Sequence, residues 1–128
     1  MFDTFISYRR EGGQNIANRV YDFLKTKNFS PFYDIEKMGA GRFDEQIRNN
    51  IIHAENFLLI LSKGALDRCS EPGDWVLREI ELAIENNLNI VVFQADSFEY
   101  PDDLPSRISL LKNYQVMFFS EVNLSSRM

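Results

Sequence analysis

Five short stretches of the chain are apolar almost without interruption: TFIS at 4–7, PFY at 31–33, FLLIL at 57–61, IVVF at 90–93 and VMFF at 116–119. A strand with one wet face alternates apolar and polar residues. Uninterrupted runs therefore predict strands covered on both faces, as in a parallel sheet. Between the runs the period changes. Over 14–28, Ile16, Val20, Phe23, Leu24 and Lys27 recur at helical spacing, with the aliphatic stem of Lys27 closing the stripe. Over 43–54 the stripe is Phe43, Ile47, Ile51 and Ala54. A third helix is predicted over 75–86 and a shorter one over 102–111, interrupted by Pro105. Strands alternating with helices build βαβ units, hence a doubly wound α/β domain.

The loops richest in Gly, Pro and charge span 9–13, 34–42, 63–74 and 96–105, and the first three directly follow the first three strands. The expected architecture is a flavodoxin-like, five-stranded parallel sheet of order 2-1-3-4-5. Such sheets bind ligands outside the carboxyl ends of the strands, between strands 1 and 3, where the winding reverses. That order brings YRREGG, after strand 1, to the loop leading into DWVLRE, after strand 3.

DWVLRE holds the single tryptophan, with a glutamate four residues after it. Turning about 100° per residue from Trp75 puts Val76, Leu77, Ile80, Ala83 and Ile84 in one arc, roughly 80° to 200°. Arg78, Glu81 and Glu85 fall opposite. Trp75 lies outside that arc, and Glu79 sits about 40° from it, between Trp75 and the edge of the core. Two readings fit. The plain one is a surface indole leaning on a loop and a first-turn acid favoured by the helix dipole. The functional one is a carboxylate beside an aromatic platform, turned away from the packed interior, suited to a flat cationic ligand.

Composition removes several classes. The 128 residues fit one domain, which at this length needs neither metal nor disulfide to hold together. A net charge of −5 argues against nucleic acid as the main partner. No apolar run approaches the ~20 residues of a membrane span. Cys69 is the single cysteine, so no intrachain disulfide forms and the expected compartment is the cytoplasm. One His and one Cys without ligand spacing predict no metal site. Ser7, Ser62 and Ser70 lack a GxSxG context and His53 lies in a helical pattern, which disfavours a Ser-His-Asp site. Cys69 has no nearby base and is expected to be inert. A response-regulator phosphoacceptor needs acids where this chain has Ser7-Tyr8 and Leu61-Ser62.

Two segments keep a chemical reading. FISYRREGG (5–13) sets Tyr8, Arg9 and Arg10 before two glycines and a helix, where guanidinium groups and a helix N-terminus suit a pyrophosphate. Structural ion pairs with the acidic excess explain the arginines equally well. YDIEKMGAGRF (33–43) carries Asp34, Glu36, Lys37, Gly39, Gly41 and Arg42, a glycine-bearing charged loop suited to contacts. Phe43 reads alternatively as core or as a hydrophobic staple.

Together with LSKGALDRCSEPGDWVLREIELA and NIVVFQADSFEYPDDLP, these segments resemble a TIR (Toll/interleukin-1 receptor) domain over nearly the whole chain. The likeness is to the enzymatic, NAD⁺-cleaving branch, found in an axon-degeneration enzyme and in bacterial antiphage proteins. It implies a TIR domain over 1–120 and a truncated tail over 121–128 leading to a further domain, a layout similar to bacterial STING proteins with an N-terminal TIR. It implies Glu79 as the catalytic group, with Tyr8, Arg9, Arg10, Phe43 and Trp75 lining the NAD⁺ pocket. It further implies that the 34–42 loop packs against a neighbouring TIR domain in a homo-oligomer or filament, with NAD⁺ as substrate and no cofactor. The expected activity releases nicotinamide and ADP-ribose, or a cyclic form, on self-assembly in antiphage defence. The alternatives are a non-catalytic TIR scaffold and an enzyme of nucleoside N-glycosidic bonds.

Overall fold

The computed structural model describes residues 2–33, 45–71 and 73–119, apart from the side chains of Gln46, Arg107 and Phe119. Phe43, the 34–42 loop and the 121–128 tail lie outside the described residues. The strands are β1 (Thr4–Ser7), β2 (Pro31–Phe32), β3 (Asn56–Leu61), β4 (Asn89–Ala95) and β5 (Gln115–Phe119). They pair in parallel in the order β2-β1-β3-β4-β5. The helices are α1 (Arg10–Thr26), α2 (Glu45–Ile52) and α3 (Trp75–Glu85), with a 3₁₀ helix at Ser106–Asn113. This is the expected doubly wound sheet.

Both faces of the sheet are covered over β1, β3 and β4, which is why those strands read as unbroken apolar runs. The edge strand β5 departs from that expectation, with Met117 50% and Phe118 66% exposed, because no further strand or helix among the described residues packs over it. All four residues of β1 are buried. On one face Phe5, Phe57 and Leu59 pack with Ile47 and Ile51 of α2 and Val76 and Ile80 of α3. On the other, Ile6 and Ile60 pack with Ile16, Ala17 and Val20 of α1. Alternate residues of one strand thus feed two separate cores. No helix among the described residues is long and apolar enough to cross a membrane.

Helix ends depart from the periodicity. The α1 segment starts at Arg10, four residues before the predicted start, with two non-helical residues inside it, Glu11 (φ −69°, ψ 113°) and Gly12 (φ 87°, ψ −12°). It ends at Thr26 because Asn28 takes a left-handed conformation (φ 69°) and the Phe29 N–H returns to the Leu24 carbonyl at 3.0 Å. Lys27 is therefore the C-cap, exposed, with Nζ 5.6 Å from the Phe23 ring centroid, and does not close the core stripe. The predicted 102–111 helix is instead 3₁₀, beginning after Pro105, whose ring cannot sit inside an α-helix.

Ile51 has no exposed surface, and Ile51→Ala should lower unfolding free energy by about 2–5 kcal/mol through the cavity it leaves. Arg48→Ala, one turn earlier on the wet face with a long 3.8 Å contact to Glu45, should change it by less than about 0.5 kcal/mol. Urea titration followed by circular dichroism compares the two.

Candidate active site

Strand β1 ends at Ser7, and the side chains that follow continue its alternation. Ser7 faces α3, where its Oγ donates a 2.7 Å hydrogen bond to Glu79 Oε1. Tyr8 faces the other way, fully buried in the core under α1, its ring 5.8 Å from that of Tyr33. Arg9 returns to the α3 side. Its Nη1 and Nη2 donate to the two oxygens of Asp74 at 2.6 and 2.9 Å, and its Nε donates to the Ala65 carbonyl at 3.0 Å.

Asp74 does two jobs. It is the N-cap of α3 (φ −64°, ψ 131°), its carboxylate accepting the Leu77 N–H at 3.0 Å, and it is the bidentate partner of Arg9. Burial, the largest influence on Arg9, by itself lowers its pKa. The hydrogen bond and charge of Asp74 outweigh that and carry it above the ordinary value. Cys69 Sγ lies 3.7 Å from the same carboxylate. Burial, then the negative charge of Asp74, pushes the thiol up to about 12, with Arg9 pulling the other way. The thiol is thus protonated at neutral pH.

The glycines of REGG each meet a local demand. Gly12 has φ 87°, a conformation that side chains resist. A Cβ on Gly13 would lie 3.3 Å from Ser62 Oγ, a tight contact that the hydroxyl would have to yield to. Ser62 Oγ is buried with no hydrogen-bond partner among the described residues.

The expected orientation of α3 needs correction. Its buried residues are Val76, Glu79, Ile80, Leu82 and Ala83. On the same wheel they span an arc from roughly 340° to 140°, so the buried face is rotated toward Trp75. Leu77 and Ile84 are only half-buried. Trp75 is half-buried and packs against the α2–α3 core, rather than standing away from it. Glu79 is 0% exposed: it lies inside the packed arc and not at a wet rim. The cause is tertiary. The helix touches α2, β1 and the 3₁₀ helix, so its flank is covered too, and Ser7 supplies the donor that a buried carboxylate requires.

Of the sequence-predicted residues, the fold brings Arg9, Trp75 and Glu79 together around the start of α3, at the carboxyl ends of β1 and β3. Arg10 is exposed. Tyr8 is on the opposite face of the sheet from Glu79 and does not join them. Arg9 donates from both terminal nitrogens to Asp74, which fits the ion-pair reading for that residue. Ser7 and Asp74 join the site from outside the sequence-predicted set. A hydroxyl closing an otherwise apolar stretch and an Asp directly before a helix start are the available signals.

Removing the Asp74 carboxylate strands Arg9 and uncaps α3, so Asp74→Ala should cost about 3–5 kcal/mol in urea unfolding. Asp74→Asn keeps the cap and isolates the ionic part. Iodoacetamide at pH 8 should leave Cys69 unmodified in the folded protein and alkylate it in guanidinium, read by mass spectrometry.

A family profile described as a TIR domain matches residues 4–123. The chain is 40% identical over 103 residues to "NAD(+) hydrolase sarm1" of Drosophila melanogaster, covering 78% of this chain and 8% of that protein. It is 40% identical over 117 residues to "NAD(+) hydrolase SARM1" of Danio rerio, covering 88% of this chain and 16% of that one. The chain therefore spans less than a fifth of these curated relatives. Among solved structures, the TIR domains of the activated Roq1 resistosome superpose with a TM-score of 0.57 at 18% identity, covering 99% of this chain and 75% of that one. With the profile matched from β1 through β5 and the sheet order reproduced, the chain belongs to the TIR domain family.

Proposed function

We propose that this domain cleaves the nicotinamide–ribose bond of NAD⁺, with Glu79 as the catalytic group. The observation that carries the reading is a carboxylate with no solvent exposure, held by a 2.7 Å bond from Ser7 beside the switch point of the sheet. Two relatives at 40% identity bear the name NAD(+) hydrolase, which supports the substrate.

The chemistry asks little of the protein besides charge placement. Pyridinium departs as neutral nicotinamide, taking the bonding electron pair, so the leaving group needs no acid. The barrier lies in positive charge that grows on the ribose as its C–N bond breaks. A carboxylate in low dielectric stabilises that charge far more than one in water, because solvent no longer screens it. Water then adds at the same carbon and loses a proton, giving ADP-ribose; attack by the adenine end gives a cyclic product. Trp75, one turn before Glu79, is the aromatic assigned to nicotinamide in this scheme, through the part of its ring that the core leaves uncovered. Arg10 meets phosphate in this scheme, because Arg9 is held by Asp74. The pocket is completed by Phe43 and a neighbouring TIR domain packed against the 34–42 loop, so the active form is a self-assembled one. The setting is cytoplasmic antiphage defence.

Glu79→Gln should lower nicotinamide release from NAD⁺ at least about 100-fold, measured by chromatography on concentrated protein. Release unchanged by that substitution would falsify the assignment. No turnover in the assembled wild type would favour a scaffold, and cleavage of nucleosides with NAD⁺ left intact would favour the N-glycosidic alternative. Specific activity should also climb with protein concentration, and Gly39→Pro should flatten that rise while the far-UV spectrum stays the same. A concentration-independent wild type removes the assembly requirement.

A further inference from the structure

We infer that Ser7 is a positioning residue for the reaction: its hydroxyl pre-sets the Glu79 carboxylate before substrate arrives. This rests on the reading of Glu79 as the catalytic group. Ser7 stands at the end of an apolar strand with 0% exposure, a place where a hydroxyl without a partner would be costly. An ionised carboxylate can only accept, so in the 2.7 Å contact Ser7 is the donor.

The bond is one half of a two-point attachment. Ser7 and Arg9 are two residues apart on one face of the β1 line and hold Glu79 and Asp74, five residues apart on α3. Two strand residues advance about 6.6 Å and five helical residues about 7.5 Å. Strand and helix run in opposite directions, so both bonds form at once only in one axial register. Arg9 and Asp74 set where α3 begins, and Ser7 sets where the acid one turn later points. Ser7 ties α3 to the end of β1, and Arg9 ties it to the turn that follows.

Pre-setting matters because a glutamate side chain has three rotatable torsions. A carboxylate free to sample them must be ordered in the transition state, whereas one already held reaches it without that loss. A hydroxyl donating to the carboxylate also favours its charged form, the form that answers a developing cation. The bond therefore acts on the turnover rate and leaves ground-state binding of NAD⁺ largely alone.

Four variants of the full chain, Ser7→Ala, Ser7→Thr, Glu79→Gln and the Ser7→Ala/Glu79→Gln double, test this at saturating and subsaturating NAD⁺. Thermal unfolding of each fixes an assay temperature at which all are folded. Ser7→Ala should reduce kcat about 10- to 100-fold, the worth of a hydrogen bond to a charged group, with KM moving less than about threefold. Ser7→Thr, which keeps the hydroxyl and suits a strand, should recover most of that loss. On the Glu79→Gln background, Ser7→Ala should add no further loss. Wild-type kcat in Ser7→Ala overturns the inference, as does Ser7→Thr impaired as deeply as Ser7→Ala, or an equal loss on both backgrounds. Those results leave Glu79-dependent turnover standing and sink the Ser7 role alone. Turnover indifferent to Glu79 sinks the parent reading and this one together.

Discussion

An acid side chain is buried in a packed protein only where hydrogen-bond partners meet it, and the region around α3 is organised by that constraint. Glu79 has no exposed surface and Asp74 has little, yet both stand where a parallel sheet meets its covering helix. Glu79 is answered by the Ser7 hydroxyl at the end of β1 and Asp74 by the Arg9 guanidinium two residues further on. The two acids thereby become the points that fix α3 against β1. A purely apolar interface would leave the helix freer to slide or roll, because dispersion and burial are non-directional.

The alternation of β1 divides labour between the two faces of the sheet. Phe5 and Ser7 belong to the α2–α3 side, Ile6 and Tyr8 to the α1 side. Three consecutive polar or aromatic residues, Ser7, Tyr8 and Arg9, therefore have different fates although they adjoin in sequence. Tyr8 becomes core beneath α1, beside the turn that Gly12 and Gly13 make possible. Its neighbours bracket the start of α3. Cys69 shows the electrostatic side of the arrangement: packed against Asp74 in a dry setting, its thiol is held neutral and its reactivity suppressed.

What the sequence by itself determined was the layer structure. Unbroken apolar runs such as FLLIL admit few placements other than strands buried on both faces, and the helical stripes between them supply the cover. Sheet order and the helices that cover it followed from periodicity and topology, together with the TIR likeness of the motifs. Helix ends were less legible: Asn28 stops α1 by taking φ 69°, a decision made by a single residue that periodicity cannot register.

Only the tertiary structure decided how α3 is rolled and what its acids touch. A helical wheel assigns burial by counting apolar groups, so it drew the core arc through Leu77 and Ile84 and left Glu79 at its edge. The folded chain buries the arc containing Leu82 and Glu79 instead, because α2, β1 and the 3₁₀ helix flank α3 and Ser7 satisfies the acid. Arg9 likewise gave no sign in the sequence of which acid would claim it, since Asp74 lies sixty-five residues away. Pairings at that separation are set by the register of strand and helix, and no local pattern carries that information.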